Sequence, residues 1–267
     1  MPIPIYNDVL TRASEGHLGS LVANLPQPVA ICGGHAVRLL VEKEWKRQFG
    51  EHYFGSRDID IVYFVDLNWT RQQLAESPAG LAPRKIRSLG YKPSGAFRFE
   101  LVLDDEGKEA QGRPFPGLEG IDFHVLYIDP LVTRLHPMIR DVMGFVPADE
   151  PLLEPVFTDA DKRLPSGGLG HDVFLPVPGL LVATKLKHLS ERTRDDKVVK
   201  DLCDLFALAQ YSASSLEEIR LVVHGCLQGA SDLVQIAMTH DLLDEAVTHI
   251  GTSKADFRAA IGPLAAT

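Results

Sequence analysis

One apolar segment of this chain opens with two carboxylates: Gly55-Ser56-Arg57-Asp58-Ile59-Asp60-Ile61-Val62-Tyr63-Phe64-Val65. Residues 59–65 are almost all apolar and rich in β-branched and aromatic types, which predicts a buried strand. Side chains two positions apart share one face of a strand, so Asp58 and Asp60 point the same way. Two like charges in apolar surroundings repel each other and resist desolvation, so a positive partner is expected between them. Mg²⁺ meets that need, because it takes one or two protein carboxylates and completes its octahedron with water and phosphate oxygens.

A glycine pair upstream supplies the complementary part of a phosphate site. A strand-like run at 29–32 leads into Gly33 and Gly34, and an amphipathic helical pattern follows from Ala36. A strand, a glycine turn and a helix N-terminus together leave backbone N–H groups free to hold a phosphate. Most glycine pairs are only turns. The specific feature here is that one helix later the chain enters the Ser-x-Asp-x-Asp strand.

The composition is that of a folded protein with reduced thiols. The chain has 267 residues, 45% of them hydrophobic, which is enough for a substantial core. We expect neither a membrane span nor a signal peptide, and a cytoplasmic location, because the sequence has no run of about 18 apolar residues and no basic-then-apolar start. The three cysteines are widely spaced in apolar surroundings and fit reduced core residues better than disulfides or a zinc site. The net charge of −9 argues against indiscriminate nucleic-acid binding, since phosphate affinity comes largely from Lys and Arg.

Two further predicted strands, at 96–103 and 120–128, offer a third carboxylate. On the second strand, Asp122 shares a face with His124 among apolar neighbours, as expected of a third metal-binding acid. On the first, Glu100 is likewise a carboxylate on a strand with apolar neighbours, although it can pair with Arg98 on its own face. The sequence favours Asp122 and leaves Glu100 open.

The rest of the chain predicts the domain organisation. Residues 5–24 have helical spacing with Gly16 in the middle, which predicts one interrupted helix or two short ones. The Pro-rich segment 129–178 is expected to be irregular, with short β pieces near 156–157 and 173–175. We therefore predict an α+β fold with two domains. Residues 1–178 form a mixed β-sheet core flanked by helices, and residues 179–267 form a mainly α-helical C-terminal domain.

Two helices beyond residue 179 carry charges near their apolar stripes. In the helix predicted at 180–192, Lys185 falls beside the stripe, so we expect a buried stem and a free ammonium at the edge of a cleft. The next helix, predicted at 195–210, spaces two pairs four residues apart: Lys197 with Asp201 and Lys200 with Asp204. Such pairs alone predict a solvated, salt-bridged face.

A basic cluster lies between residues 83 and 92 and consists of Arg84, Lys85, Arg87 and Lys92. It is a candidate grip on a polyanionic substrate or a triphosphate. A solvated helix face that stops at Gly90 is the simpler interpretation. Arg192 and Arg194 are the other basic residues considered for such a grip.

The combination of motifs resembles the nucleotidyltransferase superfamily, whose signature is a Gly-Gly or Gly-Ser turn opening a helix, followed by an Asp-x-Asp strand in a mixed sheet. With the inward Lys and the motif Lys-Asp-x-x-Asp-Leu, the chain looks like the AbiEii-type nucleotidyltransferases. That family includes the toxin halves of bacterial toxin–antitoxin pairs. The matching residues are Gly33, Gly34, Asp58, Asp60, Lys185, Asp201 and Asp204.

The resemblance implies an enzyme that moves a nucleoside monophosphate from a nucleoside triphosphate to an acceptor, with Mg²⁺ in a two-metal site. It implies that Lys185 contacts a phosphate and that Asp204 is a further essential acid. The expected metal ligands are Asp58, Asp60 and, from the strand pattern, Asp122. The expected nucleotide-binding residues are Gly33, Gly34, Ser56 and Lys185.

The expected acceptor is RNA, tRNA in particular, and the expected protein partner is a cognate antitoxin. A nucleotidyltransferase that modifies a small molecule, of the antibiotic-modifying kind, is the main alternative, and the acidic charge suits a cationic acceptor. A non-catalytic binding protein of the same fold is a third class. The intact Asp58, Asp60 and Lys185 argue against it.

Overall fold

A mixed β-sheet and two groups of helices make up the fold. The computed structural model describes residues 8–104, 106–110, 124–166 and 168–266. One compact unit, the sheet unit, consists of the described residues up to His35 together with Phe54–Leu175. The other, the helical unit, consists of Ala36–Tyr53 together with the chain from Pro176 onward. The mixed α/β class agrees with the predicted α+β fold.

The sheet unit is built on strands that form a single sheet. They are β1 (Val29–Ile31), β2 (Asp58–Tyr63), β3 (Lys92–Ser94), β4 (Arg98–Leu103), β5 (His124–Val132), β6 (Ala148–Asp149), β7 (Arg163–Pro165) and β8 (Val173–Pro176). The order across the described part of the sheet is β3-β4-β5-β2-β1-β8-β7, and β6 pairs with β5. Strand β2 runs antiparallel to β1 and parallel to β5, while β5 runs antiparallel to β4.

The register of the three central strands separates an apolar face from a charged one. Ile59 on β2 lies opposite Ile128 on β5, and Ile128 lies opposite Phe99 on β4. All three side chains are buried and form the core of the sheet unit. Because side chains alternate along a strand, their neighbours in sequence point to the opposite face.

The sheet unit also contains five α-helices and the first turn of a sixth among its described residues. They are α1 (Asp8–Asn24), the start of α2 (Gly33–Phe49), α3 (Arg71–Glu76), α4 (Pro78–Ser88), α5 (Ile139–Met143) and α6 (Pro155–Thr158). The interruption predicted at Gly16 is wrong, because burial of Leu18, Leu21 and Val22 outweighs the roughly 1 kcal/mol that a mid-helix glycine costs. The β piece predicted at 156–157 is also wrong. Proline at the first position of α6 fixes a helical φ there.

The helical unit contains most of α2 and the helices after residue 176. These are α7 (Pro178–Leu189), α8 (Asp195–Tyr211), α9 (Leu216–Cys226), α10 (Ala230–Thr239), α11 (Leu243–His249) and α12 (Lys254–Ile261). Helix α8 contacts α7, α11 and α12, and every residue from Val198 to Ala209 is buried. It is therefore the core helix of this unit.

Two further expectations bear on the whole chain. Cys32 and Cys203 are buried and Cys226 is half-buried, and none of these three described cysteines is in a disulfide. In the described ranges no helix is both long and apolar enough to cross a membrane.

Candidate functional site

Strand β2 carries the two carboxylates that the sequence placed at its start. Asp58 is the first residue of β2 and Asp60 the third; both are half-buried, while Ile59 and Ile61 are buried on the other face. The shared face predicted for the two acids is confirmed. The buried Ser56 donates a hydrogen bond from Oγ to the carbonyl of Asp58 at 2.8 Å, which fixes the loop that enters the strand.

The glycine turn lies directly against this strand. The N–H of Cys32 donates to the carbonyl of Asp60 at 3.1 Å, and α2 begins one residue later. Gly33 has a φ of +61°, in the left-handed region that favours glycine. A Cβ at Gly33 would lie 1.9 Å from Oδ2 of Asp60, so the carboxylate fills the space that a side chain would need. A Cβ at Gly34 would similarly meet the side chain of Ser56 at 3.0 Å.

This close approach has a chemical consequence. The first N–H groups of a helix have no partners within the helix, and they carry the positive end of its dipole. At Gly33 that end lies beside a carboxylate edge. The arrangement therefore offers donors for phosphate oxygens and acceptors for a cation within one small region of the sheet unit.

A third carboxylate, that of Asp129, stands next to Asp60 and was not predicted. Asp129 lies directly opposite Asp60 in the parallel pairing of β5 with β2, so both side chains project from the same face. Adjacent strands are about 4.8 Å apart, which makes the two acids immediate neighbours. We call Asp58, Asp60 and Asp129 the carboxylate face.

The two acids that the sequence proposed as third ligand fare differently. Asp122 lies outside the described residues, so its role stays a prediction. Glu100 lies opposite Tyr127, which itself lies opposite Asp58. Glu100 is thus two strands from Asp58, roughly 10 Å across the sheet, and Asp129 is the better-placed acid.

Asp129 was missed because an Asp-Pro pair normally ends a strand. Strand β5 instead continues through Pro130 to Val132. The proline is tolerated because the pairing of β5 with β4 ends at Ile128 and its pairing with β6 begins at Leu131, so Pro130 falls between them on that edge. The one indication in the sequence was that residue 129 lies two positions after Tyr127, which places both side chains on the same, charged face of the strand.

Asp129 is held by an arginine. Arg98 donates from Nε to Oδ1 of Asp129 at 2.9 Å and from Nη2 to Oδ2 at 2.5 Å, a two-pronged pair. Its guanidinium also lies 4.5 Å from the ring centroid of Tyr127. Partial burial alone would lower the pKa of Arg98, but the carboxylate of Asp129, helped by that of Asp58, outweighs burial and raises it. The pairing of Arg98 with Glu100 suggested by the sequence is replaced by this contact.

The carboxylates of this region suit a divalent cation. Asp58, Asp60 and Asp129 lie on one face of the sheet, and the guanidinium of Arg98 pairs with the third of them. Asp58 and Asp60 form the kind of two-carboxylate edge that suits this ion. Among the described residues no group of three or more His, Cys, Asp or Glu side chains is arranged to hold a metal, and Asp129 is engaged by Arg98. The residues therefore fit a cation held through two carboxylates.

The helical unit contains a second group of charges, which is buried. Lys185 Nζ lies 2.8 Å from Oδ1 of Asp201 and 2.6 Å from Oδ2 of Asp204, and Lys200 pairs with Oδ1 of Asp204. We call Lys185, Lys200, Asp201 and Asp204 the buried charge cluster. All four are less than a tenth exposed, and Asp204 is fully buried. The free ammonium expected for Lys185 is wrong. The solvated face expected for Lys200, Asp201 and Asp204 is also wrong, although the predicted pair of Lys200 with Asp204 is present.

Two outer residues donate hydrogen bonds to the carboxylates of this cluster. Tyr53 donates from its hydroxyl to Oδ1 of Asp204 at 2.6 Å, and Arg192 donates from Nε to Oδ2 of Asp201 at 2.8 Å. The contact of Lys185 with Oδ2 of Asp204 is a close ion pair without hydrogen-bond alignment.

The pKa shifts follow from burial and pairing. Burial would lower the pKa of Lys185, but the carboxylates of Asp201 and Asp204 outweigh it and raise the pKa. Burial would raise the pKa of Asp201, but Lys185 and Arg192 lower it. For Lys200, burial prevails over the Asp204 carboxylate and the pKa is lowered. The cluster therefore keeps Lys185 and Asp201 charged.

The basic cluster predicted at residues 83–92 is accessible. Arg84 and Arg87 on α4 and Lys92 on β3 are exposed, while Lys85 is half-buried. Within the described part of the chain none of the four forms an ion pair. By contrast, the other two basic residues proposed for a polyanion grip are already paired: Arg192 with Asp201 and Arg194 with Asp196.

In comparisons with known proteins, no protein-family model, no curated protein and no solved structure matches this chain.

Proposed function

We propose that this chain is a Mg²⁺-dependent nucleotidyltransferase, which moves a nucleoside monophosphate from a nucleoside triphosphate to an acceptor. The observation that carries the proposal is the contact between Gly33 and the carboxylate of Asp60. A triphosphate bound with its metal needs hydrogen-bond donors for its oxygens and carboxylates for its cation. The N-terminus of α2 and the start of β2 bring these two groups together.

The residues of the sheet unit divide the work. Asp58 and Asp60 hold the cation, which when bound neutralises phosphate charge and lowers the pKa of the acceptor hydroxyl. The backbone N–H groups that follow Gly33 and Gly34 orient the phosphate chain. Ser56 holds the loop before β2 through its bond to the Asp58 carbonyl, and so keeps the first carboxylate in place.

We assign Asp129 as the third carboxylate of the site. Its position opposite Asp60 supports either of two tasks: completing the metal shell or accepting the proton of the acceptor hydroxyl. Asp122 remains the prediction from sequence for the same task, and Glu100 is the less well placed acid.

Lys185 and Asp204 require a separate interpretation. The resemblance implies a phosphate contact and an essential acid, and these roles stay predictions. Within the helical unit their charges are already opposed to each other, so we assign them a stabilising role that holds α7 to α8. The two roles make different predictions for mutants, given in the Discussion.

We propose RNA, tRNA in particular, as the acceptor, with the chain acting as the toxin of a toxin–antitoxin pair. The observation in favour is the basic cluster on α4 and β3 of the sheet unit, in which three of the four residues are exposed and none is ion-paired with another described residue. The second candidate acceptor is a small cationic molecule, which the net charge of −9 favours.

The test is a transfer assay with each of the four nucleoside triphosphates labelled at the α-phosphate. The parent should label total tRNA when Mg²⁺ is present, and Asp60→Asn should abolish the label. Asp141→Asn, at an exposed position on α5, is the matched control and should behave as the parent. Label on cationic small molecules but not on RNA would favour the second acceptor. Absence of label on every acceptor, or full activity of Asp60→Asn, would contradict the proposed enzyme.

A further inference from the structure

We propose that Arg98 is a positioning residue that competes with the divalent cation for the carboxylate of Asp129, and so sets the metal affinity of the carboxylate face. The inference rests on the proposed function, because it concerns the cation of that same site. It goes further by giving a role to a residue that neither the motifs nor the mechanism uses.

The position of Arg98 in the sheet is the first observation. The ladder of β4 with β5 pairs Phe99 with Ile128, so the next position along β4 places Arg98 beside Asp129. On its other side, Asp129 lies opposite Asp60. One carboxylate therefore stands between a guanidinium and a second carboxylate, in one row across three strands.

The quality of the ion pair is the second observation. Both oxygens of Asp129 accept a hydrogen bond from the same guanidinium. The side chains are only 31% and 12% exposed, so water screens the pair weakly. A cation that recruits Asp129 as a third ligand must compete with these two bonds for the electron density of the carboxylate. Arg98 therefore weakens this ligand while the pair is closed.

The third observation is that Arg98 also acts on the rest of the face. Its guanidinium lies over the ring of Tyr127, and Tyr127 lies opposite Asp58 in the ladder. The contact with the ring fixes the guanidinium close to the carboxylates. Arg98 therefore acts on a cation between Asp58 and Asp60 in two ways. Its positive charge repels the cation, and its pair with Asp129 competes for a third ligand.

A purely structural pair makes the opposite prediction. If Arg98 only ties β4 to β5, its replacement weakens the fold and leaves metal affinity unchanged or lower. If Arg98 competes with the cation, its replacement raises metal affinity. The affinity of the nucleotide-free protein for Mn²⁺, used as a probe for the Mg²⁺ site, separates the two.

We would measure Mn²⁺ binding to the full chain by titration calorimetry for the parent, Arg98→Gln and Arg98→Lys. Arg98→Gln should lower the Kd about tenfold, because it removes a nearby positive charge and releases Asp129. Arg98→Lys keeps the charge but loses the planar fork, so its Kd should fall between the two. In Arg98→Gln combined with Asp129→Asn, most of the gain should disappear.

The matched control is Arg134→Gln, which breaks another Arg–carboxylate pair of the same unit, the one with Glu154 at 2.6 Å. Its Kd for Mn²⁺ should equal that of the parent. Thermal unfolding checks that each variant is folded, and Arg98→Lys is the conservative variant if Arg98→Gln is not.

The outcomes distinguish this inference from the proposed function. Suppose that the parent binds Mn²⁺ and Asp58→Asn does not, while neither Arg98 variant binds Mn²⁺ more tightly than the parent. In that case the metal site stands and the competition is refuted. If neither the parent nor Arg98→Gln binds Mn²⁺, or if Asp58→Asn has no effect, the metal site is contradicted and the inference falls with it. Tighter binding by both Arg98 variants that needs Asp129 supports it.

Discussion

The buried charge cluster and the carboxylate face both combine acidic and basic side chains, but they differ in burial and in the role that we assign to them. In the cluster, two ammonium groups oppose two carboxylates and all four side chains are buried. On the face, Asp129 pairs with the guanidinium of Arg98, and Asp58 and Asp60 are half-buried on the edge beside it. Buried charges of opposite sign can complete one another without a ligand, whereas two half-buried carboxylates on one strand face suit a cation from outside. The difference assigns stability to the cluster and binding to the face.

The largest effect is expected from breaking the balance of the cluster. Lys185→Met would remove the ammonium that contacts both Asp201 and Asp204, and would leave Arg192 and Lys200 as their remaining cationic partners. We expect the free energy of unfolding, measured by urea denaturation, to fall by about 3–5 kcal/mol, the range observed when one partner of a buried ion pair is removed.

Lys187→Met is the control, since this residue lies on the same helix but is half-buried. Its effect should stay within about 1 kcal/mol, because substitutions outside buried ion pairs and the packed core usually change stability little. If Lys185→Met is as stable as the parent and loses only nucleotide transfer, Lys185 contacts substrate as the resemblance implies, and our assignment of the cluster is wrong.

The next effect concerns the close approach that builds the carboxylate face. Gly33→Ala places a Cβ on the Asp60 carboxylate and forces a non-glycine residue to a φ of +61°. We expect a loss of about 1–3 kcal/mol in unfolding free energy, together with loss of Mn²⁺ binding, because Asp60 must move.

Gly16→Ala is the matched control, because a Cβ there meets nothing within 4 Å and the residue is inside helix α1. It should stabilise the chain by roughly 0.5–1 kcal/mol. Unchanged Mn²⁺ affinity in Gly33→Ala would show that the glycine turn and Asp60 do not form one site.

The two regions also show which features local sequence patterns predict and which they do not. The Asp-x-Asp strand and the glycine turn were predicted because each depends on local periodicity and on one residue type. The contact between Gly33 and Asp60 adds what periodicity cannot give, namely the pairing of β1 with β2 that brings the two motifs together.

The errors have identifiable physical causes. Asp129 was missed because its importance depends on a parallel pairing between strands about 70 residues apart, which no local pattern encodes. The cluster was predicted to be solvated because Lys–Asp pairs at i,i+4 have the same spacing on exposed and on buried faces. What decides burial is the packing of α8 among α7, α11 and α12, a property of the tertiary structure.

The buried charge cluster also predicts how the unfolding free energy of the chain depends on pH. Because the pKa of Asp201 is lowered in the folded chain, its contribution is fully present above the ordinary Asp pKa of about 3.9 and is lost as the pH falls through the lower folded value. We expect unfolding free energy to drop below about pH 4 with a slope of at most about 1.4 kcal/mol per pH unit for this proton. Asp201→Asn should show a shallower slope. Equal slopes would mean that Lys185 and Arg192 do not hold the charge of Asp201.

The smallest effect concerns the acceptor. Changing Arg84, Lys85 and Arg87 to Ala should weaken RNA binding and flatten the plot of log affinity against log salt by roughly 0.7–0.9 per phosphate contact removed. Nucleoside triphosphate affinity should not change, because its contacts are assigned to α2 and β2.

Lys43, Lys46 and Arg47, which are exposed on α2 in the helical unit, provide a control of equal charge. Replacing these three by Ala should leave the RNA affinity and its salt slope as in the parent. If the α4 variant modifies tRNA as well as the parent at every salt concentration, the basic cluster is not the RNA grip.

The most direct test of the assignment is the stability of Asp58→Asn/Asp60→Asn in urea, with and without Mn²⁺. Without Mn²⁺ the variant should be as stable as the parent or slightly more stable, because repulsion between the two carboxylates is relieved. With free Mn²⁺ at 100 times the Kd, the parent should gain about 2.7 kcal/mol and the variant nothing. A variant that is less stable than the parent without metal, or that gains as much from Mn²⁺, would contradict the assignment of these carboxylates to ligand binding.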